Sequence, residues 1–600
     1  VCYVTSDNHC DIDSAALLSF ASERLPDYML PAAIMHVERF PLTINGKLDK
    51  RALPAPTFSH SQTHRAPRTA QEEILAGLFN EVLGCESVGI DANFFMLGGH
   101  SLLAMRLIAR IASVLEVELP IRALFENPTV AQLANILAKT THQSREMLTP
   151  QPREAYLPLS AAQQRMWLLD NIDNNHSAYN MPLALRLRGH LNDAALHQAL
   201  TDLVQHHEIL RTTYPLHQDA PYQHILSADA ACPSLQTSQV TRDTLMGHID
   251  QAASQPFNLA CDLPLRGWLF HLEDADEHVL LLVVHPIACD GGSLAPLLHS
   301  LATAYAARCA GKKPDWAPLE IQYADYALWQ RKILGDMQDS TTAGGRQLAF
   351  WREALAGIPQ ELELPTDRPR PSVPSYRGGR VNFEIDPLCY QQLRQLARDE
   401  GVTLFMLLQA SVAASLHRLG AGDDITLGTG VAGRSSEAMN ALIGFFVNTL
   451  VLRVNCADNP TFSDVLANVR EFMLSAYSHQ DVPFDRVVEE LNPDRSSSRH
   501  PLFQVMLVLQ NNAASETRFA DLVAEPQPVG FTPAKFDLTF NFDERRDENG
   551  EVCALDGQLE YAVDLFENQT AQMLVQAFQH LLSFITGAPS THIMNIPLMD

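Results

Sequence analysis

"LLLVVHPIACDGGS", residues 280–293, decides how this chain is read. The aliphatic stretch from Leu280 to Val284 is a short unbroken apolar run that reads as a strand. It delivers His285 and ends at Pro286, which is tolerable there because the end of a strand need donate no ladder N–H. Asp290, Gly291 and Gly292 follow at once. Outward from this stretch, from about Leu157 onward, further strands ("DITLGTGV", "NTLVLRVNC") alternate with helices ("DAALHQALTDLVQHH", "TLFMLLQASVAASLHRL"). This is an α/β organisation over roughly 440 residues, enough chain for two lobes.

Six hundred residues, 46% hydrophobic and 19% charged, exceed what one hydrophobic core serves, so two to four domains are expected. The formal charge of -27 repels phosphate backbones and anionic lipid surfaces, which argues against nucleic acid and membrane partners. The 10 cysteines are scattered without a C-x-x-C pair, the pattern of a reducing cytoplasm rather than a disulfide scaffold. No apolar run approaches the roughly 20 residues of a membrane span. The N-terminus lacks both a secretion-signal layout and a starting methionine, so the chain is expected to be a segment of something longer, beginning inside a domain. Two Pro-, Ser-, Thr- and His-containing stretches without periodicity, at 52–67 and 139–156, read as linkers that divide it into three parts.

In the first part, Asn45-Gly46 between short apolar runs signals a hairpin, and Lys47 alone would be an exposed turn lysine. "LPDYMLP" followed by "NGKLDKR", however, closely resembles the last two motifs of adenylation domains of nonribosomal peptide synthetases. The resemblance implies that Lys47 swings over an acyl-adenylate site. The larger nucleotide-binding portion is missing, so this chain alone is expected to catalyse no adenylation. The second part is helical. Thr69-x-x-Glu72 forms a capping box, Gly84 stops the first helix, and Gly98-Gly99 turn the chain into another whose stripe is Leu103, Leu107, Ile108 and Ile111. Ser101 at that helix start reads as an N-cap. A nucleophile elbow is ruled out because Leu103 stands where G-x-S-x-G needs glycine. Taken whole, "DANFFMLGGHSLLAMRL" resembles the phosphopantetheine attachment site of a peptidyl carrier protein. That implies a 4'-phosphopantetheine on Ser101, its phosphodiester facing free N–H groups at the positive end of the helix dipole.

The third part carries, in order, "LSAAQQRMWLL", "HHEILRTTY", the opening stretch, "YADYALWQR", "IGFFVNTLVLR", "HQDVPFDRVVEEL" and "RHPLFQVML". These resemble the landmarks of a condensation domain of the same synthetases, most closely the subtype that joins two L-configured residues. The resemblance implies a V-shaped pair of lobes, each like chloramphenicol acetyltransferase, with a tunnel entered by a carrier arm from each face. In the family motif H-H-x-x-x-D-G the second histidine has the catalytic role. Aligning Asp290-Gly291 puts the first histidine at His285 and Pro286 at the second. Neighbouring side chains on a strand point to opposite faces, so His285 could substitute only after a bulge or register slip. Otherwise it is a buried, hydrogen-bonded histidine. Asp290 reads either as a second catalytic carboxylate or as a structural anchor for the turn, and the resemblance implies the anchor, paired with Arg434 of "GTGVAGR", while Gly291 and Gly292 keep side chains clear of an approaching thioester.

Other signals lead elsewhere. Gly428, Gly430 and Gly433 spell G-x-G-x-x-G, but "RSSEAMNALIGF" after them is too short and polar to be a crossover helix, so they are read as shaping a strand end. His285, Cys289 and Asp290 lack a second ligand pair, and no metal is expected. His206-His207 and His479 are assigned packing roles, and Tyr323, Asn448 and Gln504 no chemistry.

The sequence thus predicts a multidomain α/β chain. Residues 1–54 would be a small α+β C-terminal subdomain of an adenylation domain, 68–140 a four-helix carrier domain, and 155–600 a two-lobed condensation domain with lobes at about 155–330 and 331–600. The expected reaction joins a donor acyl or peptidyl thioester on Ser101 to the amine of a downstream carrier-bound acceptor, slowed by Pro286. The alternative is a condensation-like module that docks carriers or recruits a partner without forming amides. Expected partners are a phosphopantetheinyl transferase, an upstream adenylation core and a downstream adenylation-carrier module, in the cytoplasm.

Overall fold

The computed structural model describes residues 67–598 apart from short breaks at 68–69, 86–87, 116, 138–147, 173–179, 274–275, 435–436, 495–497, 511–517, 531–533 and 547–551, together with two short parallel strands, Cys2–Val4 and Ile34–His36. Asn45, Gly46, Lys47 and Thr69, and with them nearly all of the expected adenylation subdomain, lie outside the described residues. Two compact units are formed, residues 1–99 with 123–140, and residues 100–122 with 141–600.

In the smaller unit, α1 (Ala70–Leu83) buries Leu75, Leu78 and Phe79. It ends at Gly84, whose φ of 68° lets the Cys85 N–H reach back 3.1 Å to the Asn80 carbonyl and close the helix, as the sequence predicts. Phe94 packs edge-on against Phe79. Gly98 has a φ of 100°, and a Cβ on Gly99 would lie 2.3 Å from the Phe94 ring, so both glycines are needed for the turn toward α2 (Ser101–Leu115). α2, which falls in the larger unit, buries Ala104, Leu107 and Ile111, with Leu103 and Ile108 half-buried. Two further helices are α3 (Ile121–Glu126) and α4 (Val130–Leu137).

Among the described residues the larger unit holds two large sheets and a smaller four-stranded one formed by Leu157–Pro158, Thr212–Thr213, Leu216–His217 and Ala220–Ile225. The first contains β1 (Met181–Arg188), β2 (Leu235–Val240), β3 (Leu265–Leu272) and β4 (Glu277–Val284). The second contains β5 (Gly378–Ile385), β6 (Asp424–Val431), β7 (Asn448–Asn455) and β8 (Val505–Gln510). The chain then returns to the first sheet as β9 (Val523–Pro526), paired antiparallel with β1, before β10 (Leu538–Arg546) and β11 (Val552–Ala562) complete the second. The strand orders are β9-β1-β4-β3-β2 and β5-β11-β10-β8-β6-β7. Both large sheets are mixed, with antiparallel pairs in the majority. Alternation of strands and helices along a chain suggests parallel crossovers, but the short 273–276 connection folds β4 back against β3. β4 lies between β1 and β3, and its side chains from Val279 to Val284 are buried on both faces of the sheet, which explains why its run is apolar without alternation.

Helices enclose these sheets, among them α5 (Ala161–Ile172), α6 (Asp193–His206), α7 (Leu294–Cys309) and α8 (Tyr323–Leu334) on the first half. The second half carries α9 (Pro387–Asp399), α10 (Leu404–Arg418), α11 (Phe462–Ser478), α12 (Phe484–Leu491) and α13 (Asn568–Ile585). α10 is buried nearly all round from Met406 to Leu416. The core around β3 and β4 also takes in Met439, Leu442, Ile443 and Phe446, so side chains from beyond residue 331 help to cover the first sheet. It is at this junction that the residues of the opening motif lie.

Candidate functional site

β4 runs in unbroken register from Glu277 to Val284 against β1 and from His278 to Val284 against β3, with neither slip nor bulge. His285 follows, 1% exposed. Its Nδ1 accepts the Ile287 N–H at 3.1 Å, which leaves the ring proton on Nε2, and Nε2 lies 3.5 Å from Asp170 Oδ1 on α5. The Phe257 ring covers the imidazole edge-on. With one nitrogen accepting from its own turn and the other beside a buried carboxylate, His285 offers no lone pair to a reactant. Pro286 occupies the second position of a turn closed by the Ala288 N–H on the His285 carbonyl at 3.0 Å. That position wants a φ near −65° and needs no N–H, so proline fits it without strain. Proline at residue 286 therefore costs the fold nothing locally, and its side chain brings no proton-accepting atom to the turn.

Asp290 is 4% exposed and heavily coordinated. Its Oδ1 accepts the Ser293 N–H at 2.9 Å and lies 2.7 Å from the Ser293 hydroxyl, while Oδ2 accepts the N–H groups of Phe446 (2.8 Å) and Val447 (3.1 Å). Arg434 Nη2 stands 3.6 Å from Oδ1. The carboxylate is thus held mainly by neutral donors, with the guanidinium next to it. Arg434 donates to the carbonyls of Leu442 (3.0 Å) and Met439, and its plane lies over the Phe446 ring. Burial pulls the Arg434 pKa down, while Asp290 pulls it up. Cys289, fully buried, has its thiol pushed far up by burial, then by Asp290. A Cβ added to Gly291 would meet nothing within 4 Å, whereas on Gly292 it would lie 3.4 Å from Arg434 Nε. The open side of the turn is therefore at Gly291.

Sequence reasoning missed how segment 443–447 closes on this turn. A Cβ at Gly444 would lie 2.2 Å from the Tyr323 ring, so only glycine lets the segment cross there. The Tyr323 hydroxyl donates to the Phe445 carbonyl at 2.8 Å and accepts from Ser160 at 2.8 Å. Asn448, next along, donates to the carbonyls of Gln480 and Val482 and accepts the Phe484 N–H at the start of α12. A hint was legible in Asp290-x-x-Ser293, the pattern of an aspartate capping the turn before a helix. Its remote partners carry no local signal.

The remaining candidates lie apart from this cluster. Gln504 accepts the Leu362 N–H, His479 stacks on Phe350, and His206 packs on Trp316. His207 is buried, and desolvation pulls its pKa to about 3, with His206 a smaller cause. Gly433 has a φ of 64° where the chain turns after β6, and a Cβ on Gly428 would strike the Phe503 ring. Ser101 is the first residue of α2. The Ala104 N–H bonds to the His100 carbonyl, so the cap position is His100 and the N-cap reading of Ser101 is off by one. The Ser101 side chain is 7% exposed, and its hydroxyl donates to Thr403 Oγ1 at 3.0 Å, a contact that must open before anything is attached there. Among the described residues no group of three His, Cys, Asp or Glu side chains could hold a metal ion, and no helix is long and apolar enough to cross a membrane.

Comparison with known proteins adds an independent line. The family described as condensation domain matches residues 153–600, and that described as phosphopantetheine attachment site matches residues 73–137. The chain is 47% identical over 597 residues to a dimodular nonribosomal peptide synthase of Bacillus subtilis, a match covering 100% of the chain but 25% of the relative. Among solved structures, the X-domain from teicoplanin biosynthesis is 36% identical with a TM-score of 0.71, covering 76% of this chain and 100% of that one. The first condensation domain of the calcium-dependent antibiotic synthetase shares the fold at 19% identity, with a TM-score of 0.59 over 74% of this chain and 100% of that one.

Proposed function

Because this chain belongs to the condensation-domain family of nonribosomal peptide synthesis and carries a phosphopantetheine attachment domain, we propose that it forms an amide between a donor thioester on Ser101 and the amine of a downstream carrier-bound acceptor, at a site lacking its motif base. One observation carries this reading. The turn that presents the motif is braced through Asp290 and Arg434 and left open at Gly291, although residue 286 is proline.

When bound, a 4'-phosphopantetheine on Ser101 supplies an acyl thioester whose carbon exchanges its bond to sulfur for one to the acceptor nitrogen, the amine proton ending on the thiol. Ser101 fits the group, since it is the first residue of α2, whose first N–H groups have no acceptor within the helix and would face the phosphodiester at the positive end of the helix. Asp290 and Arg434 hold the turn still. Pro286 has no proton-accepting atom on its side chain, and the lone pair of His285 Nδ1 is engaged. With neither motif position supplying a base, the amine proton reaches the leaving thiolate through water. General-base catalysis contributes about 10² to 10⁴-fold, whereas holding reactants together reaches effective molarities of about 10⁵ M or more, so amide formation is slowed rather than abolished.

The motif sequence further supports residues 1–54 as the end of an adenylation domain bearing Lys47. A phosphopantetheinyl transferase, an upstream adenylation core and a downstream module would complete the cytoplasmic assembly. The chain spans a quarter or less of the peptide synthetases it matches, which agrees with such neighbours.

A second reading is favoured by the 36% identity to the teicoplanin X-domain, a protein also solved as a complex with OxyB. In it the third part recruits a partner and forms no amide. Charging Ser101 with a donor and supplying a soluble amine acceptor discriminates. Amide product supports condensation, and no product despite intact carrier binding supports recruitment.

A further inference from the structure

Ser293 is fully buried, and its single hydroxyl meets four groups. Arg434 Nη2 donates to it at 2.7 Å and the Gly444 N–H at 3.0 Å, while Asp290 Oδ1 and the Gly444 carbonyl both lie 2.7 Å away as acceptors. One proton serves two acceptors, and neither is orphaned when it points to the other. Asp290 Oδ1 keeps the Ser293 N–H, and the Gly444 carbonyl keeps the Asp290 N–H at 3.0 Å. The two donors have no such reserve. The Gly444 N–H has no other acceptor among the described residues, and Arg434 Nη2 reaches Asp290 only at 3.6 Å. Ser293 belongs to the turn that follows β4, whereas Arg434 and Gly444 lie on the connection between β6 and β7. The hydroxyl is therefore one of the links, beside the carboxylate and the N–H of Asp290, that bind the motif turn to the second half of the unit.

We infer that Ser293 is a positioning residue. It fixes segment 444–447 against the motif turn and so sets the spacing of the reacting groups beside Gly291; for its effect on catalysis, this rests on the condensation reading above. Ser293→Ala removes the acceptor without removing Asp290, so the segment keeps its Phe446 and Val447 bonds to the carboxylate and the Asp290 N–H bond to the Gly444 carbonyl, but the Gly444 N–H and Arg434 Nη2 lose their acceptor. A displacement of about 1 Å near reacting groups is enough to cost about 10²-fold in rate.

The test has two arms on the full chain. Hydrogen exchange of the uncharged parent is expected to show the Gly444, Phe446 and Val447 amides protected together with that of Ser293, and rapid exchange at these positions in the parent overturns the inference outright. In Ser293→Ala, protection at Gly444 to Val447 is expected to fall by about tenfold or more, while Ser411→Ala, which removes a buried hydroxyl bonded within α10 to Leu407, leaves it unchanged. Unchanged protection in Ser293→Ala refutes the positioning role. Should that variant fail to fold, Ser293→Thr, which keeps the hydroxyl, is expected to hold parent-like protection, and loss of protection in it counts against the inference. In the second arm, with Pro286→His present in every chain, Ser293→Ala is expected to lower kcat for amide formation by about 10- to 100-fold with the KM for the acceptor changed less than about threefold. A loss matching only the unfolded fraction, or one confined to KM, contradicts it. Absence of amide from all forms refutes the condensation reading, while the exchange arm still decides the case of Ser293.

Discussion

Replacing Asp290 with asparagine should destabilise the larger unit more than removing Arg434, although the two are formally an ion pair. In the structure, Asp290 Oδ2 takes two buried backbone N–H groups, from Phe446 and Val447, and Oδ1 takes the Ser293 N–H. In Asp290→Asn, an amide nitrogen at the place of Oδ2 would set a donor against two donors, and the flipped amide would set one against Ser293 N–H and Arg434. A buried donor left without a partner costs about 1–3 kcal/mol, and breaking a buried ion pair from one side about 3–5 kcal/mol. These terms overlap, so Asp290→Asn is expected to cost about 3–5 kcal/mol in all. Arg434→Met leaves the carboxylate its backbone donors and keeps an apolar chain on Phe446, which predicts about 1–3 kcal/mol. Calorimetric unfolding of the full chain at neutral pH, following the transition of the larger unit, compares the variants directly. If Arg434→Met lowers stability as much as Asp290→Asn or more, the carboxylate is held by charge rather than by backbone donors, and the anchoring described here is wrong.

Gly444→Ala should destabilise by at least about 1–3 kcal/mol through collision with the buried Tyr323 ring, whereas Gly291→Ala, with free space around its Cβ, should change unfolding by less than about 0.5 kcal/mol and lower only amide formation. His207 is held neutral at a pKa of about 3 against about 6.5 unfolded, so the unfolded chain binds the extra proton between those values and stability falls as pH drops through that window. Denaturant midpoints should show about 1.6 kcal/mol lost through this group between pH 6.5 and 5, a slope that His207→Asn diminishes; an identical slope in the variant refutes the assignment. Ser101→Ala should abolish the mass increase produced by coenzyme A and a phosphopantetheinyl transferase, and undiminished loading would place the attachment elsewhere.

Much of this fold is legible because its signals are local. The unbroken run before His285 became the central strand β4, and Gly84 and Gly98-Gly99 ended and turned helices where positive φ is required. Strand order was not legible, because nothing near Val523 announces that β9 leaves the second half to pair with β1 some 340 residues earlier in the chain. The site divides along the same line. His285, Pro286 and the Asp290 turn could be found by motif spacing, but Ser293 and Gly444 gain their importance only from contacts across about 150 residues. Ser101 shows a finer limit. The helix start was evident, yet whether its first residue caps the helix or sits just inside it depends on one backbone hydrogen bond.

The central claim is that the motif turn keeps its architecture and lacks only a base. Single-turnover amide formation, with a donor charged on Ser101 and an amine acceptor, should be measured side by side for the parent and Pro286→His. A gain of about 10² to 10⁴-fold on restoring the imidazole, with unchanged thermal unfolding, is the predicted result. A correctly folded Pro286→His chain no faster than the parent would contradict it.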